Sequence, residues 1–254
     1  SLGKGVKYFL PDFSSVGTLT YINPLIVKVG QPLGTFYGYK FKGIVQNSTD
    51  ISSLPAQAIK TLEPGVEIYE DIDDSGVVNE EDRTVLGNCQ PKLTGGFNTS
   101  LRWHRWDFFA SAQFSIGNKL FNATRCRYER TNIVWNSLAS TADRWTPTHA
   151  SNSLAKATSA TSIVSDDRYV EDASFLKFKN IQIGYTLPLK QWTNDARLRV
   201  FAGLQNFFTI TGYKGFDPES NRNGVDETNG LYQGVDFGTY PATRTVTFGL
   251  TLTL

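Results

Sequence analysis

Thr243-Arg-Thr-Val-Thr-Phe-Gly-Leu-Thr-Leu-Thr-Leu254 decides the fold class. Val246, Phe248, Leu250, Leu252 and Leu254 share one phase; Thr245, Thr247, Gly249, Thr251 and Thr253 share the other. Side chains alternate across a strand with period two, so this stretch is a strand with one apolar and one polar face. A soluble β-sandwich and a membrane β-barrel both use such strands. The sequence stops with the strand and carries no polar tail, which favours the barrel.

The same alternation recurs upstream. Leu93–Trp103 and Arg105–Gly117 alternate around the two-residue turn His104-Arg105. In the second of these, Trp106, Phe108, Ala110, Ala112, Phe114 and Ile116 oppose Asp107, Ser111, Gln113 and Ser115. Ser174–Leu187 and Ala196–Thr209 follow, and Thr18–Val27 and Leu33–Val45 precede. That makes about seven strands. The connections alternate in length: those near 28–32, 104–105 and 188–195 are short, and those at 46–92, 118–171 and 211–242 are long. Within the second long one, Leu138–Trp145 suggests a helical turn or two. Outer-membrane barrels have short turns on one side and long loops on the other. The second face carries Asn98, Ser100, Arg102, Ser111, Gln113, Asn180, Gln182 and Gln205. Between two packed sheets each would need a partner; lining a wet lumen, none does. The expected fold is all-β: an open, curved antiparallel sheet in sequential order, with its first and last strands as unpaired edges. Trp106, Phe108, Phe114, Ile116, Ile181, Ile183, Val200, Leu204, Val246, Phe248, Leu250 and Leu252 should form an outward apolar belt.

Composition agrees. Phe (17) and Tyr (11) together outnumber the charged residues of either sign, and Met is absent. Aromatics favour strands over helices. The net charge is +1 without a basic run, so nothing points to nucleic acid. No run of apolar residues is long enough for a transmembrane helix, which a β-barrel does not need. The first residues show neither a start Met nor a signal-peptide core and read as a cut through a longer protein. Two His and two Cys without CxxC spacing make zinc improbable; Cys89 and Cys126 fit a disulfide or two separate thiols.

The last eight residues, with Thr247, Gly249, Leu252 and Leu254, are similar to the C-terminal assembly signal of bacterial outer-membrane barrels, although many such signals end in an aromatic. Further segments carry a more specific likeness. They are Gly30-Gln-Pro-Leu-Gly-Thr-Phe-Tyr-Gly-Tyr39 with Gly43-Ile-Val-Gln46, Pro64-Gly65, Asp71-Ile-Asp-Asp-Ser-Gly-Val-Val-Asn-Glu-Glu-Asp-Arg83, Leu86-Gly87 and Pro91. Arg144-Trp-Thr-Pro147, Glu171-Asp-Ala-Ser-Phe-Leu-Lys-Phe-Lys-Asn180, Gly184-Tyr-Thr-Leu-Pro188, Asn206-Phe-Phe-Thr209, Tyr213, Asp217-Pro-Glu219, Pro241 and Arg244 continue it. In this order they resemble the C-terminal part of SusC/RagA-like TonB-linked outer-membrane transporters of Bacteroidetes. The resemblance implies the last third of a transmembrane barrel of about 22 strands, with the plug domain and the TonB-contacting segment upstream. It also implies import of oligosaccharides or peptides, a SusD-like lipoprotein partner, TonB coupling and surrounding outer-membrane lipid; the sequence shows no nucleophile motif and no phosphate loop, so no enzymatic activity is expected.

One loop has the spacing of a calcium site. Asp71, Asp73, Ser75, Val77, Asn79 and Asp82 fall at positions 1, 3, 5, 7, 9 and 12, with Gly76 at position 6. Oxygen ligands at those positions and a turning Gly suit Ca2+. The alternative is an acidic turn that needs no metal. At Gly76 a side chain is expected to crowd the turn. Tyr128, Trp135, Trp145 and Tyr169 lie in the second long connection, where exposed rings would stack on sugars; the alternative is loop core or packing on a partner. Trp103, Trp106, Tyr185 and Phe208 suit an interfacial girdle. The paired acids Glu80-Glu81, Asp166-Asp167 and Glu171-Asp172 read as solvated loop charges, because adjacent positions do not define a glycosidase pair. The rival classes are a soluble secreted calcium-binding β-sandwich that binds glycans, and a β-rich glycan hydrolase.

Overall fold

The computed structural model describes residues 7–9, 15–16, 19–21, 24–130, 136–158, 162–189, 196–220 and 233–253. The chain forms two compact units. The unit made of 91–118, 172–219 and 240–254 is built on one five-stranded sheet. Its strands are β1 (Leu93–Trp103), β2 (Trp106–Ile116), β3 (Phe175–Pro188), β4 (Arg197–Thr211) and β5 (Thr245–Thr253). Each is antiparallel to its neighbour, in chain order, and β1 and β5 are open edges. The hairpin turn after Trp103 and the connection after Pro188 leave the sheet at one end. The longer segments leave and re-enter at the other, by Leu93, Ile116, Phe175 and Thr211.

Register puts every alternating set on its expected side. One row runs Trp103, Trp106, Tyr185, Val200, Leu250; the next runs Leu101, Phe108, Ile183, Ala202, Phe248. None of the twelve belt residues is buried: eight are exposed, and Phe108, Phe114, Ile181 and Leu204 are half-buried. Phe248 is 80% exposed and Leu250 72%, so among the described residues no second sheet covers this face. The opposite face carries rows such as Asn98, Ser111, Asn180, Gln205 and Thr245.

Period two breaks once. Between Asn180 and Phe178 the strand β3 carries Lys179 as an extra residue relative to β2, and β4 answers with Asn206 and Phe207. Asn206 sits at φ 51°, a left-handed position that Asn tolerates better than most residues. Such a bulge bends the strands and increases their twist. It also returns Phe178 to the apolar face, where its ring meets Phe97 edge-on at 6.3 Å.

The second unit comprises 1–90, 119–171 and 220–239. Its described residues hold short strands, 3-10 turns and one six-residue helix, Ala123–Tyr128, capped by the Asn122 side chain accepting from Arg125 N. The expected helical turn appears as a 3-10 turn at Ala139–Asp143. Here the sequence expectation needs correction. The described residues of the segments 18–27 and 33–45 do not extend the long sheet. They break into short strands, Leu25–Lys28, Thr35–Gly38 and Phe41–Ile44 among them, inside this unit. The cause is two-sided burial. Leu25 and Ile26 are adjacent and both buried, as are Phe36 and Tyr37, so these strands belong in a closed core rather than a wall with one wet face. Leu25, Phe36, Phe121, Cys126, Tyr169 and Val235 form that core, and Tyr39, Tyr69, Val78 and Val164 a second cluster. No helix among the described residues is long and apolar enough to cross a membrane, which says nothing of strands.

Candidate functional site

The polar face of the sheet is a charged surface with fixed pairs. Asp107 on β2 and Arg199 on β4 form a two-bond ion pair, Arg199 Nε donating at 2.9 Å and Nη2 to the other oxygen. Toward the opposite end, Lys177 Nζ donates to Asp217 Oδ1 (3.1 Å), Asp217 Oδ2 (2.8 Å) and Glu219 Oε2 (2.6 Å). Lys179 Nζ reaches the same Glu219 oxygen at 2.8 Å. Glu219 is held below the usual carboxylate range: partial burial pushes its pKa up, but the two lysines outweigh that. Sequence reading missed the Lys177 cluster, because its members lie 40 or more positions apart and only register assembles them.

In the other unit, all six candidate calcium positions fall in one turn. Carboxylate oxygens of Asp71, Asp73 and Asp82 lie within 4.8 Å of one another. Asp71 accepts from Ser75 N (3.1 Å) and Gly76 N (2.8 Å), and Asp73 accepts from Ser75 N (3.0 Å). The Val77 carbonyl accepts from Ser75 Oγ at 3.1 Å and from Asn79 Nδ2 at 3.3 Å. Asp82 is fully buried and receives Ile72 N (2.6 Å) and Asn79 N (2.8 Å), which closes a capping box over the 3-10 turn Glu80–Asp82. The Asp73 pKa lies below the usual carboxylate value, first because the Ser75 side chain hydrogen-bonds to it. Gly76 corrects one expectation. An added Cβ would meet nothing within 4 Å; its φ of +84° is what calls for glycine.

The aromatic candidates separate. Trp145 is 4% exposed, its indole N–H donating to Gln46 Oε1 at 3.1 Å, and Tyr169 is 7% exposed in the core. Neither presents a stacking face; each fills the loop unit, since a large ring beside an apolar core is more stable out of water. Tyr128 is half-buried, and Trp135 lies outside the described residues. Trp103, Trp106 and Tyr185 cluster at the hairpin end of the apolar face, with Trp106 and Tyr185 ring centres 4.7 Å apart. Phe208 lies toward the other end of that face, in register with Phe178.

In two of the acid pairs one member is not solvated as expected, while Asp167 and Asp172 are exposed. Asp166 is fully buried, gripped by Arg168 Nε (3.1 Å) and Nη2 (2.6 Å), and Glu171 takes Arg125 Nη1 at 2.7 Å. These pairs hold the loop unit; a buried carboxylate needs such a partner. Glu80 and Glu81 are exposed. Cys89 and Cys126 are not joined, and burial pushes the Cys126 thiol up to about 12.

No family model matches the chain. The TonB-dependent receptor P3 of Formosa agariphila is 33% identical over 230 residues, covering 89% of this chain and 23% of that protein. The TonB-dependent receptor SusC of Bacteroides thetaiotaomicron is 24% identical over 231 residues, covering 89% of this chain and 20% of that protein. The chain thus spans about a quarter or less of the curated relatives it matches. Among solved structures, the RagAB peptide transporter superposes with a TM-score of 0.68 at 22% identity, over 97% of this chain and 24% of that one, a likeness of fold. With its ordered motifs and its one-sided apolar sheet, this chain belongs to the SusC/RagA-like TonB-dependent receptors, a group of outer-membrane proteins.

Proposed function

We propose that the five strands are part of the wall of an outer-membrane barrel that imports oligosaccharides or peptides by TonB coupling, together with a SusD-like lipoprotein. The observation that carries this reading is the sheet's asymmetry. A face with Phe248, Leu250 and Ile210 at 64–80% exposure suits lipid, and the opposite face of Asn, Gln, Thr and paired charges suits a wet interior. Open edges at β1 and β5 fit a wall completed by further strands. The test uses the full-length receptor in detergent. A barrel migrates faster unheated than boiled on a gel, and a deletion strain should lose growth on the glycan or peptide imported. Identical migration under both conditions would contradict the barrel; intact growth on every such nutrient would contradict the import role.

A second reading concerns Asp71, Asp73, Ser75, Val77, Asn79 and Asp82. The close approach of three carboxylates supports a calcium site in this loop. Its role would be to hold the loop rather than to act on substrate, since a bound ion removes conformational freedom from a long connection.

A further inference from the structure

The loop unit holds a small chamber of about 50 Å3 beside the C-terminal end of the helix Ala123–Tyr128. Lys60, Glu67, Glu129, Arg130 and Arg168 bring charges to its wall. Two of these side chains are only partly satisfied. Glu129 is 4% exposed; its Oε1 accepts from Arg125 Nε at 2.8 Å and from Ser140 Oγ at 3.2 Å, while its Oε2 is buried with no donor among the described residues. Arg130 Nη1 is buried with no acceptor among them. Both atoms were hydrogen-bonded to water in the unfolded chain, and native structures almost always replace such bonds when they bury the group. The two cannot easily serve each other, because adjacent residues at a helix end point in different directions.

We infer that the chamber is a hydration site, taking a small cluster of ordered waters that bridges Glu129 Oε2 to Arg130 Nη1. Water is both donor and acceptor, so one chain of waters donates to the carboxylate at one end and accepts from the guanidinium at the other. The size agrees: one water needs roughly 10–15 Å3 of such space, so the chamber takes about three or four. The charges agree as well, because they balance around the wall. Lys60 is paired with Glu67, Lys156 with Glu63 and Arg168 with Asp166. Arg125 is shared by Glu129 and Glu171, and Arg130 offsets the carboxylate left over. An anion at Arg130 would meet Glu129 and Glu67, and a cation at Glu129 would meet Arg130, Lys60 and Arg168. A neutral ligand avoids both costs. The waters would join the helix end to the wall around Lys60 and Glu67, a connection that the protein's own hydrogen bonds do not make at these two atoms. The inference concerns the loop unit alone and does not depend on the import reading.

The test is a crystal structure of the full-length receptor at a resolution that shows buried waters elsewhere in the loop unit, repeated after a bromide soak. The expected result is a connected set of water peaks, one within about 2.7–3.2 Å of Glu129 Oε2 and another at the same distance from Arg130 Nη1. No bromide signal should appear among them. Arg130→Leu should lose the water at its own end and keep the one on Glu129. A direct Glu129–Arg130 bond, a bromide peak in the chamber, or a peak with the oxygen-only coordination of a cation would each overturn the inference. So would a chamber without density, one closed by side chains, or waters that stay in place in Arg130→Leu.

Discussion

Asp107 and Arg199 stand on strands that are not neighbours, and they pair across the one between them. Asp107 on β2 faces Gly184 on β3, and Arg199 on β4 lies diagonally beyond it. A Cβ built on Gly184 would stand 2.5 Å from Asp107 Oδ2 and 2.7 Å from Arg199 Nη2. The missing side chain is the channel through which the two charges meet. The bridge ties three strands together on the polar face.

Gly184→Val should therefore push the pair apart and destabilise the sheet by roughly 1–3 kcal/mol, the range for an overpacked site. Arg199→Gln should cost less, about 0.5–1 kcal/mol, because both partners are partly exposed. The double variant should cost less than the sum, because the first change already removes the interaction that the second would break. The unfolding midpoint in urea, followed by heat-modifiable migration, reads all three. Additive losses would mean the glycine and the ion pair act independently.

Lys177 is only 3% exposed, and its ammonium is shared by Asp217 and Glu219. Lys177→Met should leave Asp217 without its buried cation and Glu219 with Lys179 alone, on the order of 3 kcal/mol, the usual loss when one partner of a buried pair is removed. The segment 212–219 should then come loose, and trypsin should cut faster after the exposed Lys214. Acid should mimic the change. The Glu219 pKa is depressed when folded, so its contribution is fully present above its ordinary value of 4.5 and is lost as pH falls through the lower folded value. Unchanged cleavage after Lys214 in Lys177→Met would show that other contacts hold the segment.

The strands of the sheet were legible because one face stays exposed and apolar. There period two is undisturbed, and the C-terminal strand, Trp106–Ile116 and the His104-Arg105 turn fall where alternation puts them. Two physical circumstances hid the rest. In the loop unit, strands such as Thr35–Gly38 are buried on both sides, so they alternate in position but not in polarity. In β3, the bulge at Lys179 shifts the phase, and simple counting from Ile181 puts Phe178 on the wrong face. Pairs such as Lys177–Asp217 and Asp107–Arg199 depend on that register. The close approach of the Asp71, Asp73 and Asp82 carboxylates was legible because their spacing is local, while the burial of Trp145 and Asp166 depends on partners far along the chain.

Cys126 lies in the loop core at 1% exposure, with its pKa pushed up to about 12 by burial. Thiolate is the reactive form, so at pH 8 the folded receptor should leave Cys126 unlabelled by maleimide. Cys89 is half-buried and its pKa is also raised by burial, so it should label slowly. Both should label quickly in denaturant. Mass spectrometry of the labelled peptides separates the two; rapid native labelling of Cys126 would mean that this core opens readily.

The calcium reading separates into charge and shape at Asp71. Its two oxygens already accept from Ser75 N and Gly76 N, so Asp71→Ala removes a turn support along with a ligand. Asp71→Asn keeps one oxygen acceptor and most of the shape but loses the charge. If calcium binds, Asp71→Ala should lower its affinity at least tenfold, and the loop should be cut faster by protease with or without metal. Asp71→Asn should lower the affinity while leaving the metal-free loop nearly as resistant as the parent. Both variants should keep heat-modifiable migration, because the apolar belt belongs to the strands and not to this loop. Bound ligands should converge to about 2.3–2.6 Å from one point, with Val77 contributing its carbonyl and Asn79 reaching the ion directly or through water. Gly76→Ala should cost about 1–2 kcal/mol through its left-handed φ, although open space surrounds the new methyl. Calorimetry on the full-length receptor after chelation decides the metal question. No heat at millimolar calcium would leave the loop as an acidic turn, held by the Asp82 capping box and the Asp71 hydrogen bonds alone.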